Sequence, residues 1–338
     1  MPSCIAGMSR RVATVLAVMS AAGLTVLLPG VRANAQDAAS YPSKPVVWFI
    51  PYAAGSPADI ALRKIADGMT APFGATIVIQ NKPGAGGTLG ATEVARAKPD
   101  GYTILATLSD PLVSQVALMQ SLPYDPAKDF TFVTKLTQSN AAMIAGPHIK
   151  ARNLRELIAE AKAMPNGMSY GSFGVGSFPH IIMETLALRS DAKFVNVNYR
   201  SSPQAIQELL SGQIGVTFGA AAATQFINEG KIRLIAQLGE RRGLLRDVPT
   251  FKEEGFDDVV LTTPLWAGLV APAHTPRPVI DKIAAAAKVS LARKDVQHFL
   301  VSISFEGVGN SPEDFEREWR KEYEAVPKAI RALGIKAN

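Results

Sequence analysis

Short apolar strand patterns alternate with amphipathic helix patterns along most of this chain, and this alternation limits the possible fold more than any other feature. The run 46–50 is rich in β-branched and aromatic residues, which is typical of a strand buried on both faces. Leu62, Ile65 and Met69 follow at the spacing of one helix face, and two more strand patterns come before residue 107. This succession predicts right-handed crossovers and a mostly parallel sheet.

A second strand–helix set begins after residues 130–145, an extended stretch without a helix pattern. Asn153 has the position of an N-cap for a helix over 154–164, and the alternation then continues to another extended stretch at 265–270. The last section is helical, and we interpret the aromatic side of its final helix as core packing. Because no flexible linker separates the two sets, we predict two lobes joined by extended strands that act as a hinge.

The N-terminal segment, residues 1–35, has the order of a secretory signal peptide. Two arginines precede the apolar run 12–28, and the small residues of Ala33-Asn34-Ala35 would make Gln36 the first mature residue. A retained membrane anchor is the alternative, but the run is shorter than the roughly 20 residues that comfortably span a bilayer. We therefore predict export to the periplasm.

Cleavage of this leader would leave a weakly basic chain without cysteine. Cys4 is the one cysteine, so the mature chain would have no disulfide, thiolate ligand or cysteine nucleophile. Arg10, Arg11 and Arg32 would leave without any acidic residue, which lowers the formal net charge from +6 to +3. That charge does not indicate a nucleic-acid-binding protein, but it slightly favours anionic ligands.

The first candidate binding loop, residues 52–59, joins a strand to a helix. Gly55 allows close backbone approach to a ligand, Ser56 supplies a hydroxyl, and the helix N-terminus would favour a carboxylate by about 0.3–2 kcal/mol. A second loop, 83–90, is glycine-rich and precedes Asp110 at the distance of a ribose-binding acid. Its spacing is not G-x-G-x-x-G and it follows the second strand of its set, so we reject nucleotide binding.

A third loop, residues 170–180, occupies the matching place in the second set. Ser172 and Ser177 supply donors, and His180 either faces the cleft or has a structural role. The serine of Gly167-Met168-Ser169-Tyr170-Gly171 matches G-x-S-x-G but lies in a strand pattern and not at the strand-to-helix turn that a nucleophile requires, and no H-E-x-x-H motif or acidic cluster indicates a metal site. We therefore predict no catalytic residue, metal or cofactor, although a secreted hydrolase stays the competing class.

Ordered motifs run along essentially the whole mature chain. In the first half they are Pro51-Tyr52-x-x-Gly55-Ser56-x-x-Asp59, Asn81-x-Pro83-Gly84-Ala85-Gly86-Gly87, Asp100-Gly101-Tyr102-Thr103 and Leu122-Pro123-Tyr124-Asp125-Pro126. In the second half they are Val197-x-Tyr199-Arg200, Gly212-Gln213-Ile214, Asp247-Val248-Pro249-Thr250 and Gly268-Leu269-x-Ala271-Pro272. The set closely resembles the Bug family, the solute-binding receptors of tripartite tricarboxylate transporters.

The resemblance implies an α/β fold of the two-lobed periplasmic binding protein type (Venus flytrap, type II-like) with two crossover strands. Lobe I would comprise residues 42–136 plus 266–338, and lobe II residues 137–265. The resemblance also implies a small carboxylate ligand, no enzymatic activity, and delivery of the ligand to integral membrane subunits of a transporter. We further expect a monomer that binds no nucleic acid.

The resemblance places the ligand contacts in the first and third loops. Carried over by position, the preferred contacts are Gly55, Ser56, Ser109, Ser172 and Ser177. The full candidate set adds Tyr52, Asp59, His180 and Arg200. A sensor that presents its ligand to a signalling partner would use the same cleft, and the sequence does not separate it from a transport receptor.

Two departures from the family pattern bear on the ligand. The family's Pro-Pro-Gly-Gly is replaced by Ala53-Ala54-Gly55, and Gly219-Ala220-Ala221 stands where the family often has an aspartate. Because that aspartate could pair with a ligand amine, we hypothesise a ligand without an ammonium group and with an apolar or aromatic body. Arg200 replaces the usual lysine, and is either a bidentate carboxylate partner or a surface charge.

Overall fold

The structure, a computed structural model, describes residues 40–220 and 222–335. The predicted signal peptide and Ala221 lie outside these residues. Strands β1 to β11 are Val46–Ile50, Ile77–Asn81, Thr103–Leu108, Phe130–Ser139, Ala142–Ala145, Met168–Ser172, Phe194–Asn198, Val216–Phe218, Arg233–Gln237, Leu265–Pro272 and Glu306–Gly307. Helices α1 to α11 are Pro57–Phe73, Thr88–Ala95, Gln115–Leu118, Leu154–Ala163, Phe178–Ser190, Ser202–Leu210, Thr224–Asn228, Val259–Thr262, Arg277–Leu291, Lys294–Ser302 and Pro312–Ala332.

The described strands form two sheets, each covered by helices. The six-stranded sheet of lobe I has the order β11-β4-β10-β3-β1-β2, and the five-stranded sheet of lobe II has the order β7-β6-β8-β5-β9. The chain leaves lobe I after β4 and returns to it in β10. This is the predicted two-lobed architecture with two crossovers, while the residue boundaries proposed for the lobes stay a prediction.

Both sheets are mixed, which corrects the prediction of a mostly parallel sheet. β1 pairs in parallel with β2 and β3, but β10 is antiparallel to both β3 and β4. In lobe II, β6 is parallel to β7 and β8, and β5 is antiparallel to β8 and β9. The crossovers explain the difference, because the strand that leaves a lobe and the strand that returns to it run in opposite directions and pair side by side.

Helix α1 shows how local sequence sets the element that follows the first candidate loop. Ser56 has extended backbone and its side chain accepts a backbone N–H of the first turn, and a proline occupies the first helical position. Gly74 ends the helix with a left-handed φ of 78°. The predicted inner face, Leu62, Ile65 and Met69, is fully buried.

The final helix, α11, packs its aromatic side on the two crossover strands of lobe I. Phe315 and Trp319 are fully buried. Their rings lie 5.1 Å and 4.4 Å from that of Phe132 on β4, and Phe315 lies 5.1 Å from Trp266 on β10. The predicted core role of these aromatic residues is confirmed, and the contacts fix α11 directly behind the crossovers.

Candidate ligand-binding site

The candidate site residues lie where parallel strands end. The loop 52–59 follows β1 and Ser109 follows β3 in lobe I, while Ser172 ends β6 and Ser177 caps the start of α5 in lobe II. In open α/β sheets, ligands bind in the crevice outside the carboxyl ends of such strands. The topology therefore brings the predicted loops to the edges at which this kind of fold binds ligands.

Tyr52 attaches the first loop to the neighbouring strand. Its hydroxyl lies 3.1 Å from Oγ1 of the buried Thr107 and accepts a 3.0 Å hydrogen bond from the Leu108 amide. Burial is the main cause that raises the pKa of the Tyr52 phenol, so this hydroxyl stays protonated. Both partners belong to β3, which gives Tyr52 a positioning role for the loop.

Asp59 is almost fully buried and organises the same loop from inside. Its carboxylate accepts hydrogen bonds from the Gly55 amide at 2.8 Å, from Arg63 Nε at 2.9 Å and from Asn81 Nδ2 at 2.8 Å. Its own amide donates to Ser56 Oγ at 3.3 Å. Burial acts to raise the pKa of Asp59, but these hydrogen bonds outweigh it and lower the pKa below its usual value. Asp59 thus holds Gly55 and the start of α1 in place.

The lobe II loop uses its serine hydroxyls internally. Ser172 is buried and donates a 2.7 Å hydrogen bond to Asn198 Oδ1, at the end of the adjacent strand β7. Ser177 Oγ donates to the Gly174 carbonyl at 2.7 Å and accepts from the Phe173 amide at 3.2 Å. These bonds close the loop into a tight turn before α5.

His180 belongs to the same turn. Its Nδ1 accepts a 2.9 Å hydrogen bond from the Gly176 amide, and its Nε2 lies 3.8 Å from Glu184 Oε1. Burial lowers the pKa of His180, with a smaller opposing effect of Glu184. A neutral ring is what the Nδ1 contact requires, because an imidazolium has no free acceptor. The geometry thus gives His180 a structural role in the loop.

Ser109 and Arg200 keep unused hydrogen-bonding capacity. Among the described residues, neither the half-buried Ser109 hydroxyl nor the exposed Arg200 guanidinium has a protein partner. The Arg200 backbone amide is bonded to Gln204 Oε1 at 3.2 Å, which fixes the backbone while the side chain stays available. Neither side chain would have to break a protein hydrogen bond in order to bind a ligand.

The two lobes touch across the crevice. A Cβ atom placed on Gly176 would lie only 2.7 Å from Leu118 Cδ1, so the lobe II loop packs against the end of α3 in lobe I. A cavity of about 60 Å³ also lies between the lobes, lined by Ser109 from lobe I and Phe178 from lobe II. The crevice is therefore closed at Gly176 and keeps an internal space.

Asn81, Asn198 and Leu118 also belong to this arrangement, although their roles were not predictable from the sequence. Asn81 bonds to Asp59 from 22 positions away and Asn198 to Ser172 from 26 positions away, a separation that no local pattern reports. The position of Asn81 could have indicated its role, since it begins a family motif at the end of a predicted strand. Leu118 carried none, because its partner is a glycine of the other lobe.

The described part of the chain contains neither a metal-type cluster nor a membrane-spanning helix. No group of three or more His, Cys, Asp or Glu residues within 40–220 and 222–335 has the arrangement of a metal site. Over the same ranges, no helix combines the length and apolar character needed to cross a bilayer.

Comparisons with known proteins point to one family. The family described as "Tripartite tricarboxylate transporter family receptor" matches residues 61–335. A Cupriavidus necator protein, described as "UPF0065 protein in gbd 5'region", is 32% identical over 300 residues, 88% of this chain and 90% of the relative. BugT of Bordetella pertussis is 29% identical over 266 residues, 78% of this chain and 81% of BugT.

Solved structures agree in fold over nearly the whole described chain. The periplasmic binding protein BugD has a TM-score of 0.74 at 28% identity, covering 88% of this chain and 100% of BugD. A protein of R. palustris solved with adipate has a TM-score of 0.76 at 25% identity, covering 88% and 99%. MatC of Rhodopseudomonas palustris with bound malate has a TM-score of 0.73 at 28% identity, covering 86% and 100%.

Proposed function

The chain belongs to the tripartite tricarboxylate transporter receptor family, which includes Bug proteins, and from this membership we propose that it captures a small organic carboxylate in the periplasm. The family consists of solute-binding receptors, in agreement with the prediction that the chain is not an enzyme. Two structural neighbours contain dicarboxylates, adipate and malate, which supports a carboxylate as the ligand class for this chain.

The observation that carries the proposal is that segments at the carboxyl ends of parallel strands, one from each lobe, line one cavity: Ser109 after β3 in lobe I and Phe178 at the start of α5 in lobe II. Ser56 caps α1 in lobe I and Ser177 caps α5 in lobe II, and the first turns keep the amides of Ala58 in α1 and of Phe178 and His180 in α5 as donors for a ligand. An anion held between them would receive donors from both lobes only when the lobes are together. Its binding would therefore favour the closed arrangement.

A thermal-shift screen of mono-, di- and tricarboxylates on the mature chain, followed by calorimetry, tests the ligand class, because a ligand that binds only the folded state raises the melting temperature. We expect Ser56→Ala and Ser172→Ala each to weaken binding of the best ligand at least about tenfold, the equivalent of about 1.4 kcal/mol.

Ser311→Ala is the matched control for Ser56→Ala. Ser311 caps α11 as Ser56 caps α1, with a 3.1 Å hydrogen bond from the Asp314 amide, but it belongs to no candidate ligand loop and does not line the interlobe cavity. Both cap variants should lose about 0.5–2 kcal/mol of stability. Only Ser56→Ala should lose affinity, and unchanged affinity in both Ser56→Ala and Ser172→Ala would contradict this placement of the site.

Delivery to integral membrane subunits of a transporter completes the proposed role. We expect fractionation of cells expressing the full chain to recover it in the periplasm as a monomer that begins at Gln36. Uptake of the ligand should require both this chain and the membrane subunits. A chain retained in the cytoplasm with its leader intact, or uptake that persists without it, would contradict this role.

A further inference from the structure

The cavity between the lobes has a composition that bears on ligand choice. Its lining includes the segment after β3 with Asp110, the inner side of α11 with Glu322 and Val326, and the first turns of α5 with Ile181. Leu238 after β9 and residues of the segment 260–265, from α8 to the start of β10, complete it. Most lining side chains are apolar, and the space is shared between both lobes. The cavity is also lined by Ser109, a candidate ligand contact, and by Phe178, which follows Ser177 in the chain. These two residues join the cavity to the candidate site.

The ionisable side chains that line this cavity are acidic. They are Asp110 and Glu322, and the lining contains no lysine, arginine or histidine. Lys135 on β4 is buried and acts electrostatically on Glu322, but it is not a lining residue and its ammonium group pairs with Glu318 at 2.6 Å. A negatively charged group inside the cavity would therefore meet carboxyl groups and no cation of the lining.

The side chain of Glu322 is held in a defined orientation at the cavity wall. Its Oε2 accepts a 2.6 Å hydrogen bond from Nε1 of Trp266, whose ring is fully buried. Burial is the main cause that raises the pKa of Glu322 to about 7, and burial also raises the pKa of Asp110. Both shifts indicate surroundings that disfavour negative charge.

The size of the cavity suits a short hydrocarbon chain of a ligand. A volume of about 60 Å³ has room for roughly four to six water-sized groups, at about 10–15 Å³ each. Apolar walls favour hydrocarbon groups, because removing such groups from water stabilises the complex. A second carboxylate would lose its hydration there and face two acids at short range, which is strongly unfavourable.

We propose that this interlobe cavity receives the apolar chain of a monocarboxylate and excludes ligands that carry a second carboxylate at that end. The inference rests on the proposed function, since the ligand's one carboxylate is assigned to the serine-bearing loops. A preference for monocarboxylates would distinguish this chain from the structural neighbours solved with adipate and malate. Asp110 and Glu322 become specificity-determining residues that act by repulsion.

Matched ligand pairs test the inference directly. Hexanoate and adipate have the same carbon number and differ in one terminal group, as do butyrate and succinate. Calorimetry on the mature chain at pH 8 should show each monocarboxylate binding at least about tenfold more tightly than its dicarboxylate partner. In Glu322→Gln and Asp110→Asn, the ratio of monocarboxylate affinity to dicarboxylate affinity should fall at least about threefold. Thermal unfolding checks that both variants are folded.

A cavity-filling variant gives an independent readout. Val326 is 9% exposed and lines the cavity, so Val326→Phe should weaken hexanoate binding at least about tenfold while acetate binding is retained. Val301→Phe is the control, because Val301 is 52% exposed on α10 outside the cavity.

The outcomes separate the inference from the function on which it rests. Adipate binding as tightly as hexanoate, an unchanged ratio in both charge-removing variants, or equal effects of the two phenylalanine variants would overturn the inference and leave the receptor function standing. No binding by any carboxylate, tricarboxylates included, would overturn both.

Discussion

Asp59 lies next to the proposed ligand loop, yet every acceptor bond recorded for its carboxylate comes from the protein itself, from Gly55, Arg63 and Asn81. Removing the carboxylate leaves the Gly55 amide and Arg63 Nε without this acceptor, while Asn81 keeps its bonds to the Tyr52 carbonyl and to Arg63. Loss of the partner of a buried polar group costs about 1–3 kcal/mol. We therefore expect Asp59→Ala to lower the free energy of unfolding in urea by that amount and to weaken ligand binding through disorder of the loop.

Asp281→Ala is the comparison for Asp59→Ala. Asp281 also pairs with an arginine four residues away, at 2.7 Å, but both side chains are more than half exposed. Exposed pairs of this kind contribute about 0–1 kcal/mol. Equal losses in the two variants would mean that the Asp59 bonds do not organise the loop.

The raised pKa of Glu322 predicts that the stability of the folded chain depends on pH. Burial raises its pKa in the folded chain to about 7, whereas an unfolded glutamate titrates near 4.3. The folded state thus binds the proton more tightly, and stability falls as pH rises from about 4.3 through 7. Trp266, Lys135 and Glu318 also face this group, and Asp110 shares its cavity.

Glu322→Gln should therefore be increasingly more stable than the wild type between pH 5 and pH 8, measured as the difference in melting temperature. The other acids, Asp110 included, titrate in both proteins, so the comparison isolates Glu322. A difference that stays constant across this range would contradict a buried carboxylic acid at this position.

The sequence predicted which loops carry polar groups, but not which of those groups have protein partners. Ser172, Ser177 and His180 were interchangeable candidates in the sequence, and the structure assigns each of them a hydrogen bond to its own or a neighbouring loop. Such partners depend on how β6 and β7 are aligned, a tertiary property. The two acids of the interlobe cavity, Asp110 and Glu322, lie more than two hundred positions apart and show no shared pattern in the sequence.

The lobe II turn between β6 and α5 is shaped by glycine. Gly176 has φ of 77° and its missing side chain lets the turn approach Leu118 of lobe I. Gly230 has nearly the same φ, 71°, but nothing lies within 4 Å of the place its Cβ would take. We expect Gly176→Ala and Gly230→Ala each to lower the free energy of unfolding by about 1–2 kcal/mol, because alanine is strained at a left-handed φ.

Only Gly176→Ala should also weaken ligand binding, by at least about tenfold, because the added methyl group holds the lobes apart. Calorimetry with the best carboxylate and urea unfolding of both variants measure the two effects separately. Wild-type affinity in Gly176→Ala would show that closure at Leu118 is not needed for binding.

Most strands and long helices were predictable because their apolar period is strong. The run 46–50 is β1 with the same bounds, and Asn153 caps α4 by accepting the Glu156 amide. The short helices α3, α7 and α8 were missed, since four or five residues carry too little periodicity. Antiparallel pairing of β10 was also missed, because strand direction depends on the path of the chain and not on composition.

Closure of the whole molecule can be measured between one exposed position in each lobe. Leu89 lies in the first turn of α2 in lobe I and Val175 lies in the lobe II turn, and each is 51% exposed. Cleavage of the leader would remove the one native cysteine, so Leu89→Cys and Val175→Cys would take spin labels cleanly. We expect the distance between the labels to shorten and its distribution to narrow when the carboxylate binds.

The control pair for this measurement is Leu89→Cys with Val289→Cys. Val289 is 52% exposed on α9, in the same lobe as Leu89. The distance between the labels of this control pair should not change when the ligand binds. A fixed distance in both pairs would contradict a receptor that closes by hinge motion.

The pairing of β4 with β10 has a consequence for how this architecture is assembled. Ser139, where the chain departs for lobe II, lies directly opposite Leu265, where it comes back. All of residues 140–264 thus occupies the place of a reverse turn between two adjacent antiparallel strands. Replacing that stretch by a tight β-turn would leave the lobe I sheet with its strand order intact, so lobe II has the topology of a module inserted into a hairpin.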